Sequence, residues 1–124
     1  MTGEELYRLV LDRALELPGS VAGRFSDGWE DVRVCGKWFV LTTDHDGRLV
    51  NLKATPDDVL ELTHVYPSIT PGYHMNKRHW VSLRAGDDLD DALVGRLVTE
   101  SYLLVVSKLP RRLRPVDPAS FPRG

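Results

Sequence analysis

At 124 residues, the chain has room for one core of ordinary size and none for a second domain. Its 42% hydrophobic and 27% charged residues exclude a wholly disordered chain, and a formal net charge of -2 excludes a strongly basic, histone-like nucleic-acid protein, so any anion site must come from local clustering. The single cysteine, Cys35, excludes an internal disulfide and a cysteine-built zinc site, and suits a reducing cytoplasm.

The N-terminal MTGEELYRLV is amphipathic and charged, which fits neither a signal peptide nor a membrane span, so a soluble cytoplasmic protein with no membrane partner is expected. Thr2 with Glu5 reads as a capping box, and Leu6, Leu9, Val10, Ala14 and Leu17 follow at helical spacing, predicting a helix from about Gly3 to Leu17. Pro18-Gly19 ends it. After a loop through Gly28, the segments Asp31–Cys35, Lys37–Thr42 and Arg48–Ala54 read as antiparallel strands, with turns at Gly36-Lys37 and at Asp44 to Gly47. Pro56-Asp57-Asp58 opens a short helix to about Thr63. Tyr66-Pro67 and Thr70-Pro71-Gly72 then force extended or turn geometry, and strand character resumes at His79–Leu83. Asp87, Asp88, Asp90 and Asp91 supply caps and first-turn acids to a last helix carrying Leu93, Leu97, Val98, Tyr102, Val105 and Leu109, which ends near Lys108. The single domain thus spans residues 1–110. The tail 111–124, rich in proline and arginine, is expected at the surface or partly disordered.

Helices at both ends of a run of strands predict an α+β fold: a two-layer sandwich whose antiparallel sheet is covered by the N- and C-terminal helices on one face. Strand alternation turns Val32, Val34, Val50, Leu52, Val81 and Leu83 inward. It leaves Arg33, Asn51, Lys53, Trp80, Ser82 and Arg84 on the other face, a set without a carboxylate. Such a surface suits an anion bearing flat rings, since lysine and arginine neutralise phosphates and tryptophan offers a stacking platform. The same polarity is what any solvent-facing sheet shows, because basic side chains lie over strands and blunt their edges.

The stretch Ile69 to Leu83, ITPGYHMNKRHWVSL, concentrates the chemistry. As a binding element, Asn76 and Lys77 would hold a phosphate or polar edge, Tyr73 and Trp80 would stack, and His74 or His79 would donate a hydrogen bond, with Arg78 adding charge. As plain structure, Tyr73 and Trp80 pack on the sheet and the basic residues solvate a turn. Other chemistry is weaker. The histidines His45, His64, His74 and His79 lack the spacing of a metal motif, so no metal or other cofactor is expected. Ser82, Ser101 and Cys35 lie in no nucleophile signature, and the acids look like helix caps. Lys108, Arg111, Arg112 and Arg114 cluster at the last helix's C-terminus, where cations are favoured in any case.

Leu17-Pro18-Gly19, Val32-Arg33-Val34 with Gly36-Lys37 and Phe39, Asn51-Leu52-Lys53, the block Pro71-Gly72-Tyr73-His74-Met75-Asn76-Lys77 with His79-Trp80, and Ser101-Tyr102 with Lys108-Leu109-Pro110 together resemble the MmcQ/YjbR family. The resemblance implies a small bacterial domain with a frataxin-like (CyaY-like) α/β sandwich, labelled DNA-binding by analogy with a double-wing arrangement. It singles out Asn51, Lys53, Tyr73, His74, Asn76, Lys77 and Trp80. The chain departs from the family pattern in Cys35 before Gly36 and in a short segment between Ser20 and Trp29, so a small wing is expected there. Iron binding is not implied, since the first helix has only Glu4, Glu5, Asp12 and Glu16. The expected function is non-enzymatic binding of DNA by the basic sheet face and the Tyr73–Trp80 block, using Arg33, Lys37, Asn51, Lys53, Tyr73, His74, Asn76, Lys77, Arg78, His79, Trp80 and Arg84. The alternatives are a small anionic ligand in a pocket closed by the loop, and an acidic protein partner.

Overall fold

The computed structural model describes residues 1–123, so Gly124, the last residue of the tail, lies outside the described residues. Helix α1 (Gly3–Glu16) starts on the expected capping box: the Glu5 N–H donates to Thr2 Oγ1 at 3.1 Å and the Thr2 N–H to Glu5 Oε1 at 3.2 Å. It stops at Glu16 because Leu17 is already extended. Five longer strands follow the order of the chain around a short helix and a short edge strand: β1 (Ser20–Ser26), β2 (Trp29–Val34), β3 (Lys37–Asp44), β4 (Arg48–Lys53), α2 (Pro56–Val65), β5 (Ile69–Pro71) and β6 (Trp80–Arg84). Helix α3 (Asp91–Ser107) closes the fold, with Asp90 Oδ1 accepting from the Leu93 N–H at 2.8 Å. The strands form one antiparallel six-stranded sheet in the order β1-β2-β3-β4-β6-β5, and α1 and α3 pack on one face of it.

Three expectations need correction. The segment between Ser20 and Gly28 is not a loop but strand β1 and a turn at Asp27-Gly28; Val21 to Ser26 are all exposed, so no inward-outward alternation marks them as a strand. The first predicted strand begins at Trp29, not Asp31, and ends at Val34. Its turn is Cys35-Gly36, with φ of 50° and 77°, the pair of positive values that a two-residue hairpin requires. Strand β6 begins at Trp80; His79 belongs to the loop, its N–H donating to Asn76 O at 3.1 Å.

The register explains the core. Val32 faces Val40 and Arg33 faces Trp38, so Phe39 is an extra residue in β3. Phe39 and Val40 both join the core while Trp38 lies beside Arg33 on the opposite face. Phe39 meets Tyr102 of α3 edge-on at 5.3 Å. Ser101 ties this bulge down: its hydroxyl donates to Phe39 O at 2.6 Å and accepts from the Lys53 N–H at 2.8 Å. Ser101 is therefore a buried strut between α3 and the sheet. Around it, Leu6, Val10 and Ala14 of α1 and Val94, Val98 and Val106 of α3 cover Val32, Val34, Val50, Leu52 and Leu83, each buried side chain contributing about 1.5–3 kcal/mol for the larger ones.

The tail folds back onto this core. A single 3-10 turn, Arg111–Leu113, is followed by Val116 and Phe121 packed against the core cluster, and Phe121 lies 6.1 Å from the Tyr102 ring. Arg114 donates to Leu109 O and Ser107 O, and Arg123 to Glu100 Oε1 at 2.7 Å.

Candidate nucleic-acid interface

The face of the sheet away from α1 and α3 is not an open basic plane. Its middle is buried, because the segment between β5 and β6 lies across it. Asn51 of β4 is fully buried, and its Nδ2 donates to Tyr73 O at 3.0 Å. Ser82, opposite Asn51 in β6, donates its hydroxyl proton to Asn51 Oδ1 and accepts the Tyr73 N–H at 2.8 Å. The two side chains thus saturate both polar groups of the Tyr73 backbone. Nearby, the Gly72 N–H donates to Trp80 O at 2.8 Å, and a Cβ at residue 72 would lie 2.7 Å from that of Trp80, so glycine is needed for so close a pass. His74 then takes a left-handed conformation with φ of 60°.

This geometry reassigns much of the Pro71–Trp80 block. Asn51, Ser82 and Trp80 do point away from the core, but the loop covers them; Trp80 is only 7% exposed. They anchor the loop and do not face a ligand. Asn76 spends Oδ1 on the Arg78 N–H at 3.0 Å, and Lys77 donates to Gly72 O at 2.9 Å, closing the turn from within while its chain remains exposed. Alternation says which way a side chain points, not what crosses above it.

The expected absence of a carboxylate on this face also fails. Asp31, two residues before Arg33 in the same strand, shares its outward face by the same alternation; it is buried and receives Arg33 Nε at 3.2 Å and Nη2 at 3.1 Å. Arg33 in turn lies over the Trp38 ring, 5.5 Å from its centroid. The Arg33 charge is therefore largely balanced where it stands.

What remains free at the surface is a rim of basic side chains around rings. His74, Arg78, His79 and Arg84 are exposed, and Tyr73 is 40% exposed with its ring 4.0 Å from that of His74, whereas Lys37, although exposed, stands opposite core-facing Val34 and so projects from the other side of the sheet. Lys53 is half-buried, with Nζ 5.7 Å from the Trp80 centroid. Burial, and secondarily the charge of Lys108, lower its pKa. Sequence reasoning missed a second set of rings: Phe25, Trp29 and Trp38 gather on the outer face of the β1–β2–β3 end, Phe25 lying 4.8 Å from Trp38 and 5.8 Å from Trp29. The signal for them was Trp29 and Trp38 at either end of one hairpin, but recognising it required the Phe39 bulge that turns Trp38 outward.

The sequence matches the YjbR family model over residues 15–104. It is 37% identical over 114 residues to uncharacterized protein YbdF of Escherichia coli O157:H7, covering 90% of this chain and 93% of that one. It is 27% identical over 108 residues to uncharacterized protein YjbR of Escherichia coli K12, covering 85% and 91%. Among solved structures, the crystal structure of Deinococcus radiodurans protein DR2400, with a DUF419 domain, superposes with a TM-score of 0.75 at 34% identity, over 83% of this chain and 80% of that one. A Pseudomonas syringae protein superposes with a TM-score of 0.67 at 25% identity, over 78% and 96%. None of the described helices is long and apolar enough to cross a membrane.

Proposed function

The chain belongs to the YjbR family, and from that premise we propose that it is a non-enzymatic nucleic-acid-binding protein that takes an unpaired strand across the outer face of the sheet. The observation that supports this reading is the pairing of accessible rings with basic side chains on that face: Phe25 and Tyr73 are exposed and Trp29 and Trp38 half-buried, and Arg78 and Arg84 line the approaches. Stacking on aromatic rings is tolerant of sequence and needs bases that are not paired, which favours a single strand over a duplex. Asn51, Asn76, Lys77 and Trp80 serve this surface by fixing the loop that carries Tyr73, His74 and Arg78.

Fluorescence anisotropy with single-stranded and duplex DNA at two salt concentrations tests the proposal. Single-stranded DNA is expected to bind more tightly, and affinity to fall with salt at a slope of about 0.7 per phosphate contact. Arg78→Glu/Arg84→Glu should abolish binding. Phe25→Ala, which alters a partly exposed ring, should weaken it by about five-fold or more, the lower end of one base stack. Absence of binding at low salt, or binding that Phe25→Ala and the charge reversals leave unchanged, overturns the proposal. Competition by free nucleotides with little salt response would instead favour a small anionic ligand, and salt-sensitive capture of an acidic protein without DNA affinity the third alternative.

A further inference from the structure

The two edges of the sheet are built differently. Edge strand β5 has three residues, ends in Pro71 and is flanked by the anchored loop, devices that keep an edge from pairing. Edge strand β1 has seven residues, SVAGRFS, with no proline and one charge, Arg24. Every residue from Val21 to Ser26 is exposed, and Val21 and Phe25 are 66% and 39% exposed. A bulge at Phe25 interrupts β1 only near its end, and the regular exposed run before it is a template for another strand.

We infer that β1 pairs antiparallel with β1 of a second copy about a twofold axis at Gly23, joining two six-stranded sheets into one. The sequence is self-complementary in that register. Gly23 faces Gly23, Val21 faces Phe25 and Ala22 faces Arg24. A twofold interface requires this reciprocity, since each pair must occur twice with the partners exchanged. Val21 lies on the outer face, because it is opposite Arg33 in β2, and Phe25 is on the same face through its contact with Trp38. The two apolar cross-strand pairs so formed lie on the face where both chains are exposed, and such pairs stabilise antiparallel strands. The charge is equally well placed. Arg24 falls beside the smallest side chain available other than glycine, so like charges do not meet across the axis. The register also stops short of Gly19, next to which Pro115 of the tail is packed.

Sedimentation equilibrium over a range of protein concentrations tests the inference, together with a disulfide-trapping experiment in a Cys35→Ser background. The parent is expected to approach twice its 14.0 kDa mass as concentration rises. Val21→Lys, at a position already 66% exposed and so without a folding penalty, should shift the midpoint of association at least ten-fold upward. Under oxidation, Gly23→Cys should give a covalent dimer and Val21→Cys should not, because only residue 23 faces its own copy. A monomer at every concentration overturns the inference. So does a dimer insensitive to Val21→Lys, or one in which Val21→Cys cross-links as well as Gly23→Cys. Circular dichroism of each variant separates loss of pairing from loss of fold. The DNA titration is a separate readout, so failure of either proposal leaves the other standing.

Discussion

Ser82 uses both its donor and its acceptor. Its one proton goes to Asn51 and its oxygen accepts from Tyr73, so Ser82→Ala leaves a buried amide oxygen and a backbone N–H without partners. The expected cost is about 1–3 kcal/mol, read from the urea midpoint, with faster hydrogen exchange across residues 72–79. An unchanged midpoint would show that the loop is not anchored there. Lys53 behaves in the opposite sense. Burial lowers its pKa and no acid is paired with it among the described residues, so Lys53→Met should melt no lower than the parent while binding DNA more weakly. A lysine kept for structure would show the reverse. Asp88, expected as a cap of α3, instead accepts the Ser68 hydroxyl and backbone N–H, and these bonds hold its carboxyl below the usual carboxylate range. Its contribution is complete above the unfolded value of about 3.9 and is lost as pH falls through the lower folded value. Asp88→Ala should therefore lower stability at neutral pH and flatten the acid limb of the stability profile, whereas a limb of unchanged steepness would argue against the assignment.

At the scale of elements, what could be read from the chain was what obeyed a period. Helices α1 and α3 repeat apolar residues at helical spacing, and β2, β3 and β4 carry Val32, Val34, Val40, Val50 and Leu52 toward one core. Strand β1 has no such period because solvent meets both its faces, and a bulge hides the placement of Trp38. The tail misled in another way: proline suggested surface, yet Val116 and Phe121 pack on the core. Phe121→Ala should then destabilise the chain by roughly 1–2 kcal/mol, less than a fully buried aromatic would. Thermal denaturation checks this, and no change in midpoint would mean the tail only rests on the surface. Part of the candidate site was legible as residue types, in that Tyr73, Arg78 and Arg84 are exposed. The remainder was not, because Asn51 and Trp80 owe their burial to a loop whose path depends on hydrogen bonds from β4 and β6.

For the molecule as a whole, α1, α3 and the sheet share one core cluster, so unfolding should be a single transition, with tryptophan fluorescence and circular dichroism superimposing. The locked loop has a consequence for the family as well. A glycine that cannot carry a Cβ, a serine and an asparagine committed to one backbone unit, and a lysine closing its own turn are demands of architecture. A signature written by such demands travels with the fold, whatever the fold is used for. Relatives can therefore share the Pro-Gly-Tyr-His-Met-Asn-Lys block and differ in ligand, and their divergence is better sought in the exposed β1–β2 hairpin, whose surface can be rewritten without disturbing a single buried hydrogen bond of the lock.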